Sequence, residues 1–356
     1  MFTVVFRCDA SAEIGFGHLM RCVALAEWLQ ACGARVRILI RQDPGASRVL
    51  EEAGISAVWL PVSCAAARAI EVVREEVERL IAASDPVPWV VVDSYDRPEL
   101  TIDVARQSGA LVLVVDDLGG VFGAAQIILN QNLGAAPGWY PGATGVRLLL
   151  GPSYALLRRD WLGATRRQDA ASPVRRILVT LGGSDRCNRT ALVLRGLATL
   201  PESLREPLDV EVVLGLGFQF TETIRALAAT VPYRCRVHAG VPRLSELMGR
   251  ADLAITAVGG TAYETAYLGI PSLTLTLSPN QEKNAEAFVK RGLAVSLGRA
   301  EELQPLTIGR ELVRLMQDRQ ARTVMNRLGR TLVDGRGPER IHHAMQALTP
   351  QQVGSR

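Results

Sequence analysis

Short apolar runs alternate with amphipathic stretches along the whole chain, the pattern of βαβ units whose parallel strands are buried on both faces. In the first half these runs predict strands at 3–6, 35–40, 57–60, 89–92, 110–115 and 126–129, with a last one at 148–150. Helices are expected between them at 19–31, 46–53, 65–83 and 98–107. The stretch 156–173 is rich in arginine and loses periodicity, which suits a linker. The rhythm then restarts, with strands at 177–181, 210–214, 234–237, 253–256, 272–275 and 294–297. Helices follow at 189–199, 220–229, 244–249, 261–268, 282–290 and 305–317, and a charged helical tail covers 319–348. The expected fold class is therefore α/β, with two Rossmann-like domains facing a cleft. The boundaries are 1–155 for the first domain, 156–173 for the linker, and 174–356 for a second domain that includes the C-terminal helices.

Length agrees with this division, since 356 residues exceed one ordinary core and two domains of about 150 residues are the default. A hydrophobic content of 48% and a charged content of 21% describe an ordinary globular chain. The net charge of +4 is small and its arginines are scattered, so nucleic acid is not an expected partner. No apolar run reaches the length of a membrane span, and Arg7 and Asp9 interrupt any signal-peptide core. The six cysteines, Cys8, Cys22, Cys32, Cys64, Cys187 and Cys235, are dispersed and form no C-x-x-C pair. They read as thiols in a reducing compartment, so the expected location is cytoplasmic. A monomer is expected.

Candidate chemistry begins at the first strand-to-helix loop. Gly15 and Gly17 allow a tight turn and close approach of a ligand, and they deliver His18 to the start of an apolar helix. A histidine there points toward the crevice beyond the strand ends and can take a proton at neutral pH. Arg21, three residues on, shares its helical face. The loop does not spell G-x-G-x-x-G, and a histidine at a helix start also serves as a cap. Two further glycine-rich loops lie in the second half, Gly182-Gly183-Ser184-Asp185 and Gly259-Gly260-Thr261. Each precedes a helix whose first amides suit a phosphate, although tight turns of this kind also occur without a ligand. Glu264 is placed for ribose hydroxyls, although a solvated surface carboxylate or a capping partner fits the position as well, and Asn280, Gln281 and Asn284 suit a sugar or simple capping. Asp93-Ser94-Tyr95, Asp116-Asp117 and Asn130-Gln131-Asn132 each end a predicted strand of the first half. No histidine or cysteine stands at ligand spacing beside these aspartates, so no metal is expected. No cofactor is expected either.

These segments together resemble the UDP-sugar hydrolases of pseudaminic acid synthesis, which release UDP from UDP-2,4-diacetamido-2,4,6-trideoxy-β-L-altropyranose. The matching residues are Arg7-Cys8-Asp9, Ile14-Gly15-Phe16-Gly17-His18, Arg21, Asp93-Ser94-Tyr95, Asp116-Asp117 and Asn130-Gln131-Asn132. They continue through Gly151-Pro152-Ser153-Tyr154-Ala155-Leu156-Leu157-Arg158, Gly182-Gly183-Ser184-Asp185 and the stretch from Gly259 to Glu264. Spore-coat polysaccharide proteins share much of the pattern. The resemblance implies a glycosyltransferase-B-like fold, similar to the transferase that makes lipid II, with UDP held mainly by the C-terminal domain. It implies metal-independent hydrolysis of a UDP-sugar, with His18 as general base on water and Tyr95 and Asp93 assisting. Gly15, Gly17, Arg21, Asp116, Asn132, Gly182, Gly183, Ser184, Gly259, Gly260, Thr261, Glu264, Asn280 and Gln281 are the expected substrate-binding residues. The alternative is a glycosyltransferase in which His18 deprotonates an acceptor hydroxyl.

Overall fold

The computed structural model describes residues 3–11, 13–61, 66–83, 87–120, 122–167, 169–241 and 244–350. Cys64 and the first residue of the helix expected over 65–83 lie outside the described residues. The first sheet is built from β1 (Thr3–Cys8), β2 (Arg35–Arg41), β3 (Ser56–Leu60), β4 (Trp89–Asp93), β5 (Leu111–Val115), β6 (Ile127–Asn130) and β7 (Arg147–Leu150). Its helices are α1 (Gly17–Ala31), α2 (Pro44–Glu52), α3 (Ala66–Ala83) and α4 (Pro98–Gln107), followed by the short α5 (Arg159–Leu162). The second sheet is built from β8 (Arg176–Thr180), β9 (Asp209–Leu214), β10 (Arg234–Ala239), β11 (Leu253–Ala257), β12 (Ser272–Thr276) and β13 (Val295–Arg299). Between and after these strands come α6 (Arg189–Ala198), α7 (Glu202–Arg205), α8 (Thr221–Ala228), α9 (Leu244–Gly249), α10 (Gly260–Leu268), α11 (Glu282–Lys290), α12 (Pro305–Gln317), α13 (Arg319–Leu332) and α14 (Gly337–Leu348).

Both sheets are parallel, in the orders β3-β2-β1-β4-β5-β6-β7 and β10-β9-β8-β11-β12-β13. In each, the chain runs outward from a central strand and then returns to build the other side. The switch points are therefore β1/β4 and β8/β11. Loops leave such a pair in opposite directions and open a crevice at the carboxyl ends of the strands. The central strands are largely apolar because helices cover both faces, and β1, β4 and β11 are buried at every residue, Arg7 and Asp93 included. Val5, Val77, Val90, Val92, Val112 and Ile128 belong to the core of the first sheet, and Ile177, Val179, Val210, Val212, Leu253 and Leu273 to that of the second. Among the described residues no helix is long and apolar enough to cross a membrane.

The chain divides into two compact units, Met1–Ile14 with His18–Arg159 and Gly335–Arg356, and Gly15–Gly17 with Asp160–Asp334. The stretch expected as a linker is divided between the units: Arg158 and Arg159 fall in the first, and Arg166 and Arg167 are tied into the second. Arg166 donates to the Tyr267 carbonyl at 2.7 Å, and Arg167 pairs with Asp252 at 2.8 Å. The C-terminal helices, expected to belong together with the second domain, part company. Between α13 and α14 the chain turns at Gly335, whose φ of +83° suits glycine, and α14 returns to the first unit. There Gly337 packs so tightly that an added Cβ would lie 2.2 Å from the Ala155 carbonyl oxygen. Arg340 donates to the Ser153 carbonyl at 2.7 Å, and the Trp89 indole donates to the Thr349 hydroxyl at 2.9 Å. A charged exterior hides this apolar seam of Ile341, Ala344 and Met345. Ile341→Ala, at a fully buried position, is expected to cost about 2–5 kcal/mol in urea unfolding. Leu306→Ala, at a residue 74% exposed, is expected to stay within about 0.5 kcal/mol of the parent. Equal effects of the two would contradict this packing of α14.

Candidate active site

At the switch point of the first unit, register pairs Cys8 of β1 with Asp93 of β4. The loop after β1 carries Gly15, at φ +90°, and leads into α1 at Gly17. In the first turns of that helix His18, Arg21 and Cys22 stand at spacings of three and four residues, hence on one face. All three reach Asp93. His18 Nδ1 lies 2.5 Å from Asp93 Oδ1. Arg21 forks onto the same carboxylate, Nε to Oδ2 and Nη2 to Oδ1, both at 2.6 Å. The Cys22 thiol donates to Oδ2 at 3.6 Å. Arg21 Nη2 also lies 3.1 Å from His18 Nδ1, but two N–H groups do not bond each other. In the neutral ring the proton therefore sits on Nδ1, donated to the carboxylate, and Nε2 carries the lone pair.

Asp93 is fully buried, which alone pushes its carboxyl up. The Arg21 charge, then His18, and the hydrogen bonds from both outweigh burial and hold it well below the usual carboxylate range. Burial works against the Arg21 charge as well, but the fields of Asp93 and Asp117 reverse that and raise it well above its ordinary value. Arg21 reaches onward through Nη1 to Asp117 Oδ2 at 3.0 Å, and Asp117 Oδ1 accepts the Tyr95 phenol at 2.6 Å. The Tyr95 ring stands edge-on to the His18 ring with centroids 4.6 Å apart. His18, Arg21, Asp93 and Tyr95 are thus brought together as expected residues. Asp117, named in sequence only as half of the Asp116-Asp117 pair, completes the group together with Cys22, which sequence placed only among the dispersed thiols. For Cys22 the signal was available, since it lies four residues after His18 on the same helix.

Asp116, expected to bind substrate, is tied into its own loop. It accepts the Leu118 and Gly119 amides at 3.2 and 2.8 Å and the Tyr140 hydroxyl at 2.7 Å. Burial, reinforced by Asp116, pushes the Tyr140 phenol up. Asn130 donates to that phenol at 2.7 Å and accepts the Asn132 amide at 2.9 Å, while the Asn132 side chain donates to the Asp117 carbonyl at 3.4 Å. Asp116 and Asn132 brace the loops that present Asp117.

In the second unit Gly182 (φ +86°), Gly183 and Ser184 follow β8, and Gly259 and Gly260 follow β11, on either side of the other switch point. The two loops differ. The amides of Arg189 and Thr190 at the start of α6 donate to Asp185, each at 2.8 Å, and the Thr190 hydroxyl donates at 2.7 Å. That helix end is therefore capped from within, and burial raises the Asp185 carboxyl despite these donors. The start of α10 has no side-chain cap, and a Cβ on Gly259 or Gly260 would meet nothing within 4 Å. Thr261 and Glu264 lie half-buried in its first turns. Further on, Gln281 accepts the Leu277 amide at 2.9 Å, Asn280 accepts the Ser278 hydroxyl at 2.5 Å, and the buried Asn284 accepts the Tyr263 phenol at 2.8 Å. These amides brace the turn into α11. Among the described residues no group of three or more His, Cys, Asp or Glu is placed to hold a metal ion.

No family model matches the chain. The spore coat polysaccharide biosynthesis protein SpsG of Bacillus subtilis is 25% identical over 347 residues, 97% of this chain and 98% of that protein. A processive diacylglycerol β-glucosyltransferase of Bacillus licheniformis is 33% identical over 136 residues, 37% of this chain and 34% of that protein. The crystal structure of Acinetobacter baumannii MurG matches with a TM-score of 0.66 and 20% identity, covering 97% of this chain and 100% of that one. The fold is accordingly that of glycosyltransferase-B proteins, two parallel-sheet α/β domains, and the chain is related to SpsG.

The depressed Asp93 value has a sign for stability. Its unfolded value is about 4, so the carboxylate's contribution is fully present above that pH and is lost as pH falls from there toward the folded value. Asp93→Asn leaves Arg21 half-compensated and is expected to cost about 3–5 kcal/mol at neutral pH. Urea unfolding of the variant is also expected to lose stability less steeply than the parent between about pH 5 and pH 2. An unchanged acid slope would contradict the pairing.

Proposed function

We propose that the protein is a nucleotide-sugar enzyme that transfers the glycosyl group of a UDP-sugar to a hydroxyl acceptor, with His18 as general base. The observation that carries this reading is the His18–Asp93 pair at the first unit's switch point, with Nδ1 engaged and Nε2 left to act. Nε2 takes the acceptor proton as its oxygen attacks C1. The bond from C1 to the phosphate oxygen breaks, and UDP leaves with that electron pair. Asp93 stabilises the imidazolium that forms and holds the ring in the required tautomer. In this reading the second unit holds the diphosphate. The uncapped N-terminus of α10 at Gly259-Gly260-Thr261 supplies amides and the positive end of a helix dipole, and Gly182, Gly183 and Ser184 supply the opposing loop. The glycosyltransferase-B fold and the partial match to the B. licheniformis glucosyltransferase support transfer over other nucleotide-sugar chemistry. UDP as the nucleotide rests on the resemblance of the motif set to UDP-sugar enzymes.

A second reading keeps the same residues and makes water the acceptor. It is favoured by the run from Gly15 to Arg21 with Asp93-Ser94-Tyr95, which resembles the UDP-sugar hydrolases of pseudaminic acid synthesis. The diacetamido-trideoxy sugar belongs to that reading.

Incubation with a panel of UDP-sugars, with and without hydroxyl acceptors, separates the two. Release of UDP that depends on an acceptor supports transfer, and full release without one supports hydrolysis. Under either reading His18→Ala is expected to slow UDP release by about 10²- to 10⁴-fold, with circular dichroism unchanged. A folded His18→Ala enzyme with parental turnover would remove the assigned role.

A further inference from the structure

Arg7-Cys8-Asp9 belongs to the run that singled out this chain, yet Arg7 and Asp9 take no part in the proton transfer. Both side chains are nevertheless buried, at 3% and 4% exposure, at the carboxyl end of β1. Arg7 Nη1 donates to Asp9 Oδ1 at 2.8 Å and to the Cys8 carbonyl at 2.5 Å. Asp9 Oδ2 accepts the Ser94 hydroxyl, and Ser94 Oγ in turn accepts the Asp96 amide at 3.0 Å. The direction of this chain is set by chemistry: the carboxylate only accepts, so the single hydroxyl proton goes to Asp9 and the oxygen is left to receive Asp96 N–H.

Ser94 stands between Asp93 and Tyr95. The chain leaves β4 at Asp93 and bends at Tyr95, so that Asp93 and Tyr95 lie against His18 while Ser94 meets Asp9. We propose that Asp9 is a positioning residue for the active site: held by Arg7, it anchors Ser94 and so fixes the edge-on placement of the Tyr95 ring against His18. The short loop 93–95 is then gripped from two sides. Arg21 holds Asp93 directly and Tyr95 through Asp117, and Asp9 holds the residue between them. A buried ion pair costs desolvation that apolar packing avoids, and what it returns here is direction. The inference rests on the reading of His18 as the base, so its first readout is made on free enzyme.

The test uses the full chain labelled for NMR at the imidazole of histidine and the Cζ of tyrosine, with His18→Ala and Tyr95→Phe assigning the two signals. Ser94→Ala removes the hydroxyl alone and Ser94→Thr keeps it; Asp9→Asn removes the charge that receives it. Ser94→Ala and Asp9→Asn are expected to shift both the His18 and Tyr95 signals without ligand. They are also expected to lower kcat for UDP release about tenfold or more, with KM for the UDP-sugar within about twofold. Ser94→Thr is expected to restore signals and turnover. Unmoved His18 and Tyr95 signals in folded Ser94→Ala would overturn the proposal, and so would moved signals with parental kcat. Failure of His18 as the base shows separately, as full turnover in His18→Ala.

Discussion

A carboxylate that no solvent reaches organises the first unit. Asp93 sits at the end of a central strand with every neighbour in the sheet apolar, a position where an unpaired charge is not tolerated. It persists because one helix face brings it the Arg21 fork, the His18 ring nitrogen and the Cys22 thiol at once. The same contacts that stabilise the charge dictate the imidazole's tautomer and orientation. Burial of the charge and orientation of the ring are one arrangement here. The placement depends on strand order, since only a switch point lets the loops after two adjacent strands diverge and leave room for a helix start between them.

The second unit repeats the topology and uses it differently. It sets backbone where the first unit sets side chains. Asp185 closes the end of α6 with its own carboxylate, while α10 opens at two glycines without a side-chain cap. The start of α6, sealed by a carboxylate, offers a phosphate less than the open start of α10, so Gly182, Gly183 and Ser184 would serve through their own loop amides and hydroxyl. The two glycine-rich loops, alike on paper, are thus unequal in what they offer an anion.

Much of this was legible in the chain itself. Alternating apolar runs are the direct imprint of a parallel sheet covered on both faces, so strands such as β1, β4 and β11 announce themselves. His18, Arg21 and Asp93 were legible because glycines, helical spacing and strand ends each constrain where a side chain goes. Asp116 and Asp117 were not separable, because adjacent residues leaving a strand look alike until the loop's own hydrogen bonds are seen. Those bonds turn Asp116 inward to Gly119 and Tyr140 and leave Asp117 to Arg21 and Tyr95. Asp185 escaped notice as a cap because its donors lie four and five residues ahead, beyond a turn with Asn188 at φ +52°. The return of α14 to the first unit depends on tertiary packing at Gly337, which no local period encodes.

The charge of the cluster bears on how such a site works. Two carboxylates, Asp93 and Asp117, share one guanidinium, Arg21, so with a neutral imidazole the buried set carries one net negative charge. Taking a proton on His18 makes the set neutral. In the proposed mechanism a proton taken by His18 is therefore met by charge that the fold has already placed, without rearrangement of the cluster. Arg21 sets the size of this effect. Without it the buried Asp93 and the partly exposed Asp117 would each lose a cationic partner, and burial would push the Asp93 carboxyl up. With a second cation, no net field would remain. One arginine between two aspartates is the composition that keeps the field and the fold together.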